Sequence, residues 1–310
     1  MEVDITVKDL IFAFLLGSGK GEADALRLTR SIRTFGGEYC FNPIWLLSRQ
    51  SEEDISEATR QELYSSGARL ITYELDPTEG HFPFADYVAA AGIAEGLAQG
   101  ETSCLVLMAS DTLVLNEPSL FQLPAGKSFG GCPVHLKLLG SGTDEPVDDF
   151  WRLIYQHCQV DTERIFAIQT LVDEQNVRAY FNAGLLVVRP ERGLLRGWQA
   201  DFERIYPLPE FDPFYQQSEL YAIFMHQAVL VGNLLSSLRE DEIQQLPFEV
   251  NYPLHLHSRI AEPRRPSSLG QLITCRYEDY SETFSNPNVR DLLEMDKPLK
   301  TWLQAQFSSV

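Results

Sequence analysis

The sequence is poor in cysteine and in cationic side chains, and it has no long apolar run. Its five cysteines, Cys40, Cys104, Cys132, Cys158 and Cys275, are scattered and odd in number. None falls in a C-x-x-C pair. That argues against a disulfide framework and a thiolate zinc site, and makes a reducing cytoplasm the expected compartment. Lysine and arginine number 25 against 44 aspartates and glutamates, giving a net charge of −19. Most of such a surface repels a phosphate backbone, so nucleic acid is not an expected partner. An anionic ligand would need a local site built from backbone amides, arginine or a metal. The longest early apolar run, residues 10–16, is far too short to span a bilayer. It follows an acidic start, Glu2 and Asp4, and no small-residue cleavage site comes after it. Neither a signal peptide nor a transmembrane segment is expected. Internal repeats and low-complexity tracts are also missing.

What is present is a 310-residue chain, 44% hydrophobic and 22% charged, long enough to bury a large core. Short apolar runs alternate with helical patterns through the first third. Residues 9–16, 43–47 and 69–75 read as buried strands. Between and after them, residues 22–35, a helix opened by Ser51 to Asp54, and residues 84–98 read as helices. The 22–35 helix has Ala25, Leu28, Ile32 and Phe35 on one face, and Gly36-Gly37 ends it. This alternation predicts an α/β fold with a mostly parallel sheet and helices on both faces. Residues 17–21, GSGKG, tempt a P-loop reading, but the spacing fails: Phe14 stands where the first Gly is needed and Gly21 where Ser or Thr is needed. A turn after the first strand is the simpler expectation.

Residues 104–115, CLVLMASDTLVL, organise the rest. A buried strand climbs to Met108, breaks at Ala109-Ser110-Asp111 and resumes. Open α/β sheets bind ligands at the carboxyl ends of their strands. An acid there can hold a hard cation and, through it, phosphate oxygens; it can equally bond its own backbone in a turn. Residues 127–132 read as a short return strand, 141–149 as a loop, and 151–175 as helical. In residues 180–188, Tyr-Phe-Asn-Ala-Gly leads into a core strand. Gly184 permits close approach of a ligand or backbone, and Asn182 offers both a donor and an acceptor. Pro190 is expected to cap a helix with Leu194, Leu195, Trp198, Phe202 and Ile205 on one face. Residues 218–235 read as a helix carrying His226-Gln227, and 246–252 as extended. Residues 254–258 alternate, so His255 and His257 share a face if they form a strand. The tail, 286–307, reads as a helix packed on the body.

Taken in order, these motifs resemble the glycogenin-type glycosyltransferases, glycosyltransferase family 8. The family's D-x-D strand resembles residues 108–115. Its Phe-Asn-small-Gly strand resembles Phe181 to Leu185, its Asp-Gln helix pair resembles His226-Gln227, and its Leu-Pro, Asn-Tyr and His series resembles Leu246-Pro247, Asn251-Tyr252 and His257. The resemblance implies a GT-A-type, Rossmann-like fold forming one domain over 1–310. Residues 1–116 would be its nucleotide-binding half, and 117–310 its acceptor-side half with C-terminal helices. It implies a nucleotide-sugar donor, most simply a UDP-sugar, an acceptor of unknown identity, and retention of anomeric configuration. It implies Mn2+ or Mg2+ on Asp111 and His257, with Asp111, Gly184 and His226 at the donor and with Asn182 and Gln227 by the reacting sugar. The sequence departs from the family pattern in three places. Ala109 replaces the first acid of D-x-D, His226 replaces the Asp before Gln227, and no Lys-Pro follows His257, although Arg264 and Arg265 offer charge to a diphosphate. A methyl group cannot ligate metal. A GT-A-like binding or scaffold protein without transfer chemistry is therefore the competing reading, and a nucleotidyltransferase on a similar sheet is a third.

Overall fold

Strands buried on both faces read as continuous apolar runs, and the chain uses several of them. In the computed structural model, which describes residues 9–49, 51–52, 54–75, 82–294 and 297–307, the elements follow in the order β1 (Ile11–Leu15), α1 (Lys20–Phe35), β2 (Ile44–Ser48), α2 (Glu57–Ser65), β3 (Ala68–Thr72), α3 (Ala85–Ala98), β4 (Leu105–Met108) and β5 (Thr112–Val114). Then come β6 (Phe129–Pro133), α4 (Asp149–His157), β7 (Ala167–Gln169), β8 (Asn176–Arg178), β9 (Phe181–Val188), α5 (Leu194–Ile205), α6 (Asp212–Gln217) and α7 (Glu219–Ser237). The chain closes with β10 (Ile243–Gln245), β11 (Tyr252–Pro253), β12 (Thr274–Arg276), α8 (Tyr280–Ser285), α9 (Pro287–Glu294) and α10 (Lys297–Phe307). Glu2, Asp4 and Glu53 lie outside the described residues. The fold is α/β, with a mostly parallel sheet and helices.

By compactness the chain forms two units that interleave along the sequence, so neither coincides with residues 1–116 or 117–310. The first comprises Met1–Thr72, Met108–Gln122 and Pro247–Val310, the second Tyr73–Leu107 and Leu123–Leu246.

In the first unit β1 pairs in parallel with β2, and β2 with β3. Helix α1 buries Ala25, Leu28 and Ile32. It stops where Gly36 and Gly37 allow it. A Cβ on Gly36 would lie 2.4 Å from the Ile32 carbonyl oxygen, and Gly37 has φ +56°. A second, small sheet has the order β11-β12-β5, with β12 antiparallel to β5. The Val114 N–H donates to Ser31 Oγ of α1 at 3.0 Å, which fixes β5 against that helix. The tail is two helices, α9 and α10, with residues 295–296 between them outside the description. Trp302 meets Phe35 edge-on at 5.2 Å, and Arg30 Nη1 donates to Gln306 Oε1 at 2.8 Å, so α10 docks on α1 as the apolar spacing predicts.

In the second unit the order is β10-β6-β9-β4, with β6 antiparallel to β9 and β10 parallel to β6. Helix α5 begins at Gly193, which offers no side-chain cap. Instead Glu95 of α3 accepts the Arg196 N–H at 2.9 Å. Helix α7 opens with Ser218 Oγ accepting the Leu220 N–H and buries Met225 through Leu235. Among the described residues it alone is long and apolar enough to cross a membrane by length and composition, and 61% of its apolar window is buried inside the protein.

Several local expectations change. The helix expected to open at Ser51 starts at Glu57, capped by Ser56, whose Oγ accepts the Thr59 N–H at 3.2 Å. Helix α4, Asp149–His157, covers only the start of the 151–175 stretch; β7 lies in the rest and pairs with β8 just beyond it, where Ile168 and Val177 are both buried. Pro190 opens a single 3-10 turn rather than α5 itself. Of residues 246–252 only Tyr252 lies in a strand, the first residue of β11. Leu254–Arg259 is a 3-10 helix, not a strand, which removes the shared face of His255 and His257.

Candidate active site

Two clusters carry the polar chemistry, one in each unit. In the first, Ala109-Ser110-Asp111 turns the chain from β4 into β5. The β12-β5 register sets Arg276 opposite Thr112, and the Tyr277 N–H donates to the Asp111 carbonyl at 3.1 Å. Position 111 is thus fixed from the neighbouring strand. The Arg276 guanidinium meets the Asp111 carboxylate as a fork: Nε donates to Oδ1 at 3.1 Å and Nη2 to Oδ2 at 2.7 Å. The two side chains keep only 20% and 15% exposure. Burial alone would raise the Asp111 carboxyl. The charge and hydrogen bonds of Arg276, together with the charge of Lys20, override this and hold it below the usual carboxylate range.

Lys20 is the first residue of α1, after Gly19 at φ +57°. Its ammonium donates to the Glu278 carbonyl at 2.7 Å and to Asp24 Oδ2 at 3.1 Å. Buried Asp24 also accepts from Arg27 Nη1 at 2.9 Å and from the Tyr277 hydroxyl at 2.7 Å. Three donors on one buried carboxylate satisfy the condition for keeping such a charge inside a protein. Arg27 in turn lies 4.2 Å over the Tyr280 ring. The segment after β12 is therefore tied to the first two turns of α1, with Lys20 and Arg276 both acting on Asp111.

The histidines divide. The Tyr252 hydroxyl and His257 Nδ1 are hydrogen-bonded at 2.7 Å. Burial, then the charge of Arg265, hold His257 below the usual imidazole range. His255 Nε2 stands 3.2 Å from Glu278 Oε1. Burial lowers it too, and Arg276 and Asp111 are among its electrostatic neighbours. Arg265 donates to the Ile260 and Ser258 carbonyls, and Arg264 lies over the Phe248 ring at 5.1 Å.

This donor set does not fit a divalent metal. Ala109 offers no ligand atom and both Asp111 oxygens are bonded by Arg276, which leaves His257 Nε2 as a single ligand atom, its Nδ1 being bonded to Tyr252. Among the described residues no group of three or more His, Cys, Asp or Glu is arranged to hold a metal ion.

The second cluster lies at the start of β9. Asn182 is half-buried, and its Oδ1 accepts the Gly184 N–H at 2.8 Å. The neighbouring Ala183 is held at both ends. Its N–H donates to Gln227 Oε1 at 3.2 Å, and its carbonyl accepts the Tyr87 hydroxyl at 2.7 Å. Asn182, Gly184 and Gln227 are thus brought together. His226 turns to another neighbour: its ring stacks on Phe84 with centroids 4.1 Å apart, and its carbonyl accepts the Trp198 Nε1–H at 2.8 Å. Phe84 is a bulky residue at φ +63° and 47% exposed, a conformation that the surrounding packing must enforce.

Sequence reasoning missed Arg276, Tyr277, Tyr87 and Phe84. The only available signal for Arg276 was a lone base in the apolar run of residues 274–277, in a strongly acidic chain.

At the turn after β4, Asp111 is therefore an acid bonded by one cation, Arg276, and acted on by the charge of a second, Lys20. Residues 12–221 match the profile of the Rhodobacterales glycosyltransferase domain, and the chain belongs to that family. No curated protein matches the chain. Solved structures similar to it include an active-site mutant of LgtC, at 13% identity and TM-score 0.48, covering 94% of this chain and 95% of that one. Mouse xyloside xylosyltransferase 1 is similar at 11% identity and TM-score 0.47, over 88% of this chain and 98% of that one. The bifunctional glycosyltransferase WbbM is similar at 11% identity and TM-score 0.46; the match covers 95% of this chain, which spans about half of that protein, 52%.

Proposed function

We propose that this chain transfers a sugar from a nucleoside-diphosphate donor, a UDP-sugar in the simplest case, to an acceptor, with retention of configuration as in the glycogenin-type enzymes it resembles. The observation that carries this reading is Asp111, held at the carboxyl end of β4 by the β12-β5 register in a chain of glycosyltransferase family. Donor binding then belongs to the first unit, where Asp111, Lys20 and Arg276 meet, so the donor half takes in β12 from the far end of the sequence as well as residues before 116. The second unit, taken by itself, carries a separate polar cluster, in which Asn182 is assigned to sugar hydroxyls and Gln227 to holding the Ala183 backbone. Gly184, the fourth residue of β9, is assigned to close approach of a ligand, and His226 stacks on the Phe84 ring. Family membership disfavours the scaffold reading.

The test is a panel of nucleoside-diphosphate sugars, each incubated with the protein while release of nucleoside diphosphate is followed. One donor is expected to be hydrolysed slowly, as transferases do without an acceptor, and Gln227→Ala should lower that rate at least tenfold. No release from any donor, with no nucleoside diphosphate bound, would overturn the assignment.

A further inference from the structure

We infer that the Arg276 guanidinium, with Lys20 beside it, takes the place of a divalent cation at Asp111, so that the diphosphate of the donor is bound by fixed side-chain charge without metal. The inference rests on the glycosyltransferase reading and assigns to that reading's donor site the means by which it neutralises phosphate.

Four observations converge on it. Arg276 bonds both oxygens of the acid that would otherwise ligate metal, at 3.1 and 2.7 Å. A metal entering there would have to displace a bidentate, largely buried pair. Ala109 removes the second acid, and a cation held by Asp111 alone among acids of this turn would be poorly retained. The guanidinium is placed by strand register and by the Tyr277 N–H on the Asp111 carbonyl, so its charge stands at a defined position without a bound ion. Lys20 supplies a second cation and is 55% exposed, within reach of a ligand from solvent. A guanidinium engages a carboxylate with two of its five N–H groups and suits phosphate oxygens in the same planar way. Asp111 then acts as a positioning residue for Arg276 and not as a metal ligand.

The chemistry of a diphosphate explains why a cation is needed at all. A nucleoside diphosphate is strongly anionic, and most of this surface, at a net charge of −19, repels it. Preorganised cations aimed at the phosphates offset that repulsion locally and need no reorganisation when charge builds on the leaving group.

The test is calorimetric titration of uridine, guanosine, adenosine and cytidine diphosphates into the full chain, in EDTA and again with excess Mn2+. At least one nucleotide is expected to bind in EDTA, with Kd changed less than threefold by Mn2+. Arg276→Gln should weaken that binding at least tenfold, Arg276→Lys should restore part of it, and Lys20→Gln should weaken it three- to tenfold. Lys20 sits at a helix end in partial exposure, so its variant remains informative if Arg276→Gln fails to fold. The double variant Ala109→Asp, Arg276→Ala should convert the site to Mn2+-dependent binding. Binding that the native protein shows only with Mn2+, and that Asp111→Asn abolishes, would overturn the inference while leaving the transferase reading in place. Binding in EDTA that is indifferent to both Arg276 and Lys20 would also overturn it. No binding of any nucleotide in either condition would overturn both.

Discussion

Asp111 and Arg276 stand 165 residues apart in sequence, and one ion pair joins the turn after β4 to the last strand of the small sheet. A carboxyl held below its usual range in the folded protein contributes stability that is present above its unfolded value, about 3.9. That stability is lost as pH falls through the lower folded value. Asp111→Asn should therefore destabilise the protein at pH 7 by about 1–3 kcal/mol, because it leaves Arg276 largely buried without its counter-charge. The difference should shrink as pH falls below about 3.9 and through the lower folded value. Urea unfolding at neutral and acid pH measures it, and a penalty independent of pH would reject the electrostatic account. Asp111 was legible in the sequence, because an apolar run that breaks on an acid and resumes marks a strand end. Arg276 was not, because no local period connects a residue to its partner across a sheet. The ligand expectation for His257 followed the motif order; the bond from its Nδ1 to the Tyr252 hydroxyl is a packing contact that no local pattern shows.

The elements were legible where burial imposes a period. β1, α1, β2, α3 and β4 lie within a few residues of their expected bounds, because strand and helix periods differ. Residues 151–175 and 254–258 were misread, since 3-10 turns and a short hairpin carry no sustained pattern. One helix boundary rests on a contact that no local motif records. Helix α5 begins after Gly193, and its cap comes from Glu95 of α3. The buried Glu95 carboxyl is pushed above its usual range by desolvation, which its bonds from the Arg196 and Leu195 backbone only partly offset. A raised carboxyl favours the folded state most at pH below the unfolded value, about 4.3, and that contribution falls as pH rises through the folded value. Glu95→Gln keeps an acceptor and cannot ionise. At pH 7.5 it should match or exceed the native stability, by up to about 1 kcal/mol, with the gain vanishing toward pH 4. Glu95→Ala, which removes the acceptor, should lose about 1–2 kcal/mol at either pH. A Gln variant as damaged as the Ala variant at neutral pH would show that the charge itself is required.

Across the whole molecule the dominant electrostatic fact is imbalance, 44 acidic against 25 basic side chains. Several ion pairs, such as Arg152 with Asp149 and Arg239 with Asp241, lie on open surface, where each is worth about 0–1 kcal/mol and weakens with salt. Self-repulsion of the excess charge acts against the compact state, and it is also screened by salt. The two effects have opposite signs. The Debye length falls from about 30 Å at 0.01 M to about 8 Å at 0.15 M, so screening reaches distant like charges before it reaches contact pairs. Relief of repulsion should win. Raising NaCl from about 10 to about 300 mM at pH 7.5 should stabilise the fold by about 1 kcal/mol, which for a chain of this size is a Tm rise of about 1.5 °C. The control lies in pH. The sequence pI is about 4.7, so near pH 5 the excess charge is almost gone and the salt effect should fall to nearly nothing. A Tm that falls with salt at pH 7.5 would instead place stability in local pairs such as those around Asp24, and would predict that Lys20 and Arg276 hold an anionic ligand less firmly as salt is raised.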